Sequence, residues 1–192
     1  MPCVLEIFML EKKLCAQDAY LVLHRQSKKP VGVNWLGEAK SQEDARSANG
    51  NIGLLLGPKS GVMDVDLDCL EANGLADLIL PQPFAKFSRG SSDSAHYLYK
   101  STSFGPTQRF ACNGPKSTLA KLRGDGSQTM IPPSIHPNGA KLTYTEINQD
   151  ASEVDNDELL RSVSFLAACS EVAQPWASGL WHELALSSRG CA

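Results

Sequence analysis

Eight consecutive residues, Gly61-Val62-Met63-Asp64-Val65-Asp66-Leu67-Asp68, restrict the fold of this chain more than any others. From Met63 onward apolar and acidic side chains alternate strictly, which is the period of a strand. Asp64, Asp66 and Asp68 then project from one face while Val65 and Leu67 enter a core on the other. Three like charges on one face repel. A divalent cation among them, Mg²⁺ or Mn²⁺, relieves that repulsion, because hard cations favour carboxylate oxygen. The alternative is a solvated edge strand of alternating polarity.

Other elements follow from patterning around this strand. Residues 4 to 15 have helical spacing, and Ala19 to Leu23 reads as a short buried strand leading into a polar, lysine-containing loop. Ser41 suits a helix cap, with Glu43 and Asp44 where a helix N-terminus favours negative charge. Ile52 to Leu56 is strand-like and is joined to the aspartate strand by the turn residues Gly57-Pro58-Lys59-Ser60-Gly61. Cys69 to Leu80 reads as a helix ended by Pro81 and Pro83. Short strands are predicted at Ala95 to Lys100, Thr118 to Arg123, Thr129 to Ile131 and Lys141 to Glu146, and an amphipathic helix at Glu153 to Cys169. The fold class is therefore mixed α/β or α+β, and not a doubly wound sheet. Gln174 to Gly179 reads as a linker, and Leu180 to Ser188 as the start of a further helical unit.

Composition removes several classes. With 192 residues, 42% hydrophobic and 20% charged, the chain can bury one substantial core. Its longest apolar runs fall far short of the ~20 residues of a bilayer span, and no signal peptide is evident, so no membrane role and a cytoplasmic location are expected. The six cysteines form no local pair of metal-binding spacing. A net charge of −3 excludes a generally basic nucleic-acid coat, so any phosphate-binding surface must be local.

Two later segments supply such a surface. Ser94-Ala95-His96-Tyr97-Leu98-Tyr99 is a strand with one histidine near its start. From Ser94 to Gly124 there is no Asp or Glu, yet Lys100, Arg109, Lys116, Lys121 and Arg123 are present, a balance that suits phosphate oxygens. A chance run balanced by acids elsewhere in space is the plain alternative. Leu122-Arg123-Gly124-Asp125-Gly126 follows, with glycines that let backbone approach a ligand closely, and then the stiff loop Ile131-Pro132-Pro133-Ser134-Ile135-His136-Pro137.

In this order and spacing, from about Val31 to Tyr144, these segments resemble the bifunctional primase/polymerase domain of the archaeo-eukaryotic primase superfamily, common in phages, plasmids and other mobile elements. The resemblance implies an RRM-like catalytic sheet beside a smaller N-terminal α/β unit, over residues 1–172, with 173–192 as a linker and the start of a helical accessory domain. Trp181-His182-Glu183-Leu184 resembles that link, which a helicase often follows. It implies a metal-dependent nucleotidyltransferase that uses nucleoside triphosphates on a single-stranded or primed DNA template. Asp66 and Asp68 are its metal ligands for Mg²⁺ or Mn²⁺, Ser94 and His96 its nucleotide-contacting pair, and Arg89 and Arg123 further phosphate contacts. Relatives carry an acid immediately before the Leu-Arg pair, and here that position is Lys121. Asp64 and Asp125 are the candidate substitutes for the missing ligand. A binding module with weakened catalysis and a metal-dependent hydrolase are the rival readings.

Overall fold

The computed structural model describes residues 18–90, 94–112 and 118–177. The expected helix over 4 to 15 and the segment beyond Ala177 lie outside the described residues. Among the described residues nine strands are formed: β1 (Tyr20–Leu23), β2 (Asn51–Leu55), β3 (Val62–Leu67), β4 (Ala85–Ser88), β5 (Ala95–Lys100), β6 (Gln108–Ala111), β7 (Thr118–Arg123), β8 (Gln128–Ile131) and β9 (Thr143–Ile147). With them run the helices α1 (Gln42–Ser47), α2 (Leu70–Ile79) and α3 (Asn156–Ala177). A six-stranded sheet has the order β6-β7-β3-β5-β4-β9, and a three-stranded sheet the order β1-β2-β8. All pairings between named strands are antiparallel, so the α+β reading holds.

The aspartate strand β3 lies inside the large sheet, between β7 and β5, and the edge-strand alternative fails. Met63, Val65 and Leu67 pack with Ala72 and Ala76 of α2 and Leu159, Val163 and Leu166 of α3. On the opposite face Val62, Phe87 and Leu98 pack against Leu21, Leu23, Ile52, Leu54 and Met130 of the small sheet. Apolar cover on both faces explains why the carboxylates of β3 are withdrawn from water along most of its length. The smaller unit is not purely N-terminal, because its third strand, β8, comes from beyond the large sheet's central strands.

Local chemistry sets the helix starts. Ser41 Oγ accepts from the Asp44 N–H at 3.1 Å, and Glu43 and Asp44 occupy the first turn of α1. Asp155 accepts from Glu158 N–H at 2.8 Å ahead of α3. That helix is longer than its pattern suggests: it continues through Gln174 to Ala177, over the first part of the stretch expected to be a linker. The stripe of Leu159, Val163, Leu166 and Ala167, with Ser170 also buried, holds it to the sheet. The last strand also starts later than expected, at Thr143, because Leu142 turns into the core.

Candidate active site

Strand register builds the site. Asp66 faces His96 on β5 and Lys121 on β7, and Phe87 on β4 continues the row beyond His96. One step along, Asp64 faces Leu98 and Arg123. Because side chains two residues apart share a face, Asp64, Asp66, His96, Lys121 and Arg123 all emerge on the side that carries the small sheet. Asp68 follows the end of β3 and rejoins the group through Lys121, whose ammonium hydrogen-bonds Asp68 Oδ2 and lies 3.3 Å from Asp66 Oδ2.

The cluster is paired throughout. His96 Nδ1 is 3.0 Å from Asp64 Oδ2, and its Nε2 is 3.6 Å from Asp66 Oδ1. The imidazole lies flat on the Phe87 ring, with centroids 4.6 Å apart and planes 5° from parallel. Arg123 places one guanidinium nitrogen 3.7 Å from Asp64 and 3.8 Å from Asp66, while the other donates to the Gln128 carbonyl at 2.6 Å. Burial opposes charge on His96, but the charges of Asp64 and Asp66 and the Asp64 hydrogen bond outweigh it and hold its pKa above the ordinary value. Burial likewise works against ionised Asp66, and the neighbouring His96, Lys121 and Arg123 charges overcome it, so its pKa is lowered. Lys121 is desolvated too, yet Asp66 and Asp68 raise its pKa and keep it an ammonium ion.

Above the cluster opens a cleft between the two sheets. Lys28 in the loop after β1, Arg89 after β4, Arg123 on β7 and His136 after β8 line it with His96. Arg89 is 3.2 Å from His136 Nε2, and His136 Nδ1 is 2.8 Å from Asn138 Oδ1. Burial lowers the pKa of Lys28 and so do Arg89, Arg123 and Lys121, against the pull of Asp66. His136 is lowered by burial and by Arg89, Lys28 and His96, in spite of its bond to Asn138. Burial is the larger cause of both shifts, and the neighbouring cations add to it.

The arrangement brings together Asp64, Asp66, Asp68, His96, Lys121 and Arg123, with Arg89 in the cleft wall above them. Ser94 is buried just before β5. Asp125 is elsewhere: its carboxylate accepts from the Gly126 N–H at 2.9 Å in its own turn. The glycines beside it serve the chain itself, since a Cβ on Gly124 would strike the Gly105 carbonyl. Of the described cations in the acid-free basic stretch only Lys121 and Arg123 reach the site. Arg109 Nε donates to Thr118 at 2.7 Å and Lys100 to the Gln149 carbonyl at 3.3 Å, while Lys116 falls outside the described residues. Lys28 and His136 are site residues that strand periodicity could not reveal, because both sit in loops. The stiff proline-rich loop was the signal that could have found His136.

Fold and site together define an α+β protein with a small cleft lined by basic side chains and by no acidic one. The family model for the N-terminal domain of bifunctional DNA primase/polymerases matches residues 5–157, and the chain belongs to that family. It is a family of primase/polymerase-type nucleotidyltransferases, which bind nucleotides and DNA and generally depend on a divalent metal. No curated protein matches the chain. No helix among the described residues is long and apolar enough to cross a membrane.

The donor set does not fit a two-ion centre. Two metal ions roughly 3.5 to 4 Å apart need bridging carboxylates to offset their charge. Here Lys121 Nζ stands between Asp66 and Asp68, Asp64 is fully buried against His96, and Asp125 is turned away. Among the described residues no group of three or more His, Cys, Asp or Glu side chains is arranged to hold a metal ion.

Proposed function

We propose that this domain binds an incoming nucleoside triphosphate beside a single-stranded or primed DNA template, and that Lys121 holds its nucleotidyl transfer at a low rate. The observation that carries the reading is the ammonium of Lys121 set between Asp66 and Asp68. Transfer joins a 3′-hydroxyl oxygen to the α-phosphorus of the triphosphate and releases pyrophosphate. Such chemistry relies on positioning and on charge stabilisation at the phosphoryl oxygens. In this reading Arg89, Arg123 and the imidazolium of His96, which line the cleft, neutralise the triphosphate, and the salt-sensitive part of template binding falls to phosphate contacts. What the arrangement leaves weak is activation of the attacking hydroxyl, because the carboxylates that would serve it are engaged by Lys121.

Primer extension on a DNA template with labelled deoxynucleotides, run in Mg²⁺ and in Mn²⁺, tests this reading. The wild type extends slowly, and Lys121→Glu extends at least about tenfold faster, the factor that 1.4 kcal/mol of transition-state stabilisation supplies. Adding Asp66→Ala to Lys121→Glu abolishes the gain. Extension by the wild type as fast as by Lys121→Glu would show that Lys121 is no brake.

A further inference from the structure

We infer that the cleft binds the polyphosphate of a nucleotide without any divalent cation, with the Lys121 ammonium supplying the charge that a bound metal would otherwise bring. The inference rests on the reading that the cleft takes a nucleotide, and adds what balances the charge there.

Three features of the site converge on it. First, the cleft walls carry Lys28, Arg89, Arg123, His96 and His136, and no lining residue is acidic. Secondly, each of the three aspartates beneath is already engaged: Asp64 by His96 at 3.0 Å, Asp66 by Lys121 at 3.3 Å and Asp68 by the same ammonium. With Lys28, Arg89, Lys121 and Arg123 set against three carboxylates, positive charge is in surplus before either histidine is counted. A metal centre built on carboxylates has the reverse balance. A divalent ion would have to break the contacts of Lys121 with both Asp66 and Asp68 and enter a site whose surroundings repel it. Thirdly, the cations approach from both sheets: Arg89 and Arg123 from the large sheet and Lys28 from a loop of the small one, with the His136 imidazole beside Arg89. Two guanidinium groups on one wall and an ammonium on the other can pair with separate phosphate oxygens, the guanidinium groups in the fork geometry that such oxygens favour.

Titration calorimetry of the full chain with dATP, in EDTA and then in Mg²⁺ or Mn²⁺, tests the inference. In EDTA dATP binds, with an affinity within about tenfold of that in Mg²⁺. Inorganic tripolyphosphate competes with it, which assigns the binding to the phosphates. Arg123→Met and Lys28→Met each weaken binding in EDTA by about tenfold or more, with thermal melts confirming that the variants are folded. Lys121→Glu reverses the preference, so that dATP binds in Mn²⁺ and fails in EDTA. Binding of dATP in Mn²⁺ alone by the wild type overturns the inference and leaves the proposed function standing. Absence of binding in every condition overturns the nucleotide reading itself. A cleft that takes single-stranded oligonucleotide in EDTA but not dATP refutes the inference as well, by assigning the cations to DNA backbone.

Discussion

Asp64 is the residue whose role changes most between sequence and structure. Its position on the acidic face marks it as a spare metal ligand, but it is fully buried and holds the His96 imidazole through Nδ1. A buried charge deprived of its partner is strongly destabilising, by about 3–5 kcal/mol, whereas replacing both partners with apolar residues is often neutral. We therefore expect His96→Leu to lower unfolding free energy in urea by that amount, and the double variant His96→Leu/Asp64→Leu to recover most of it. No recovery in the double variant would mean that His96 stabilises by packing on Phe87 alone. At this scale alternation marked Asp64, Asp66 and Asp68 as sharing a face, and the family resemblance singled out His96, Lys121 and Arg123, which strand register brings beside them. Lys28 and His136 escaped because a loop has no periodicity to aim its side chains. The acid-free run from Ser94 to Gly124 was right for Lys121 and Arg123 and misled for Lys100 and Arg109, which share the face of the site but bond the Gln149 carbonyl and Thr118 away from it.

Elements on the reverse face of the large sheet are joined by a second polar cluster. Lys86 of β4 bonds Asp77 of α2 at 2.8 Å and Glu146 of β9 at 2.6 Å, and its ammonium lies 5.0 Å from the centroid of the Tyr97 ring of β5. The Tyr97 hydroxyl donates to Asp77 at 2.8 Å. The Lys86 hydrogen bond, helped by that of Tyr97 and opposed by burial, lowers the Asp77 pKa. A carboxyl depressed in the folded state adds stability above its unfolded pKa, and that stability is lost as pH falls through the folded value. The stability difference between wild type and Asp77→Asn should therefore be steady at neutral pH and shrink below about pH 4. Urea unfolding across that range measures it, and a difference that grows on acidification contradicts the assignment. This cluster also shows why β4 and β6 were not foreseen. β4 has only four residues and no β-branched side chain, and its alternation is too short to stand out. β6 is a partly exposed edge whose pattern owes little to a core.

Across the whole molecule, the cleft exists because two sheets meet, and one buried side chain ties together the small sheet's loops that border it. Asn51, at the start of β2, donates to the Ser27 carbonyl at 3.1 Å and the Ile135 carbonyl at 2.6 Å, and accepts from the Ile135 N–H at 2.9 Å. Ser27 precedes Lys28 and Ile135 precedes His136, so one amide positions both loops that bring the small sheet's cations to the cleft. Gln128 adds a bond to the Lys28 carbonyl at 3.0 Å, and Ser134 Oγ accepts from the Ile52 N–H at 2.8 Å. Asn51→Ala would strand polar groups of both loops, at a cost of about 1–3 kcal/mol for each that stays buried and unpaired. Its larger effect should be on binding, because the carboxylate cluster and Lys121 belong to the other sheet and keep their register. Affinity for dATP should fall by about tenfold or more while the difference between wild-type and Lys121→Glu backgrounds in metal preference persists. Stability lost with affinity unchanged would place the phosphate contacts entirely on the large sheet and leave the small one as cover for the core.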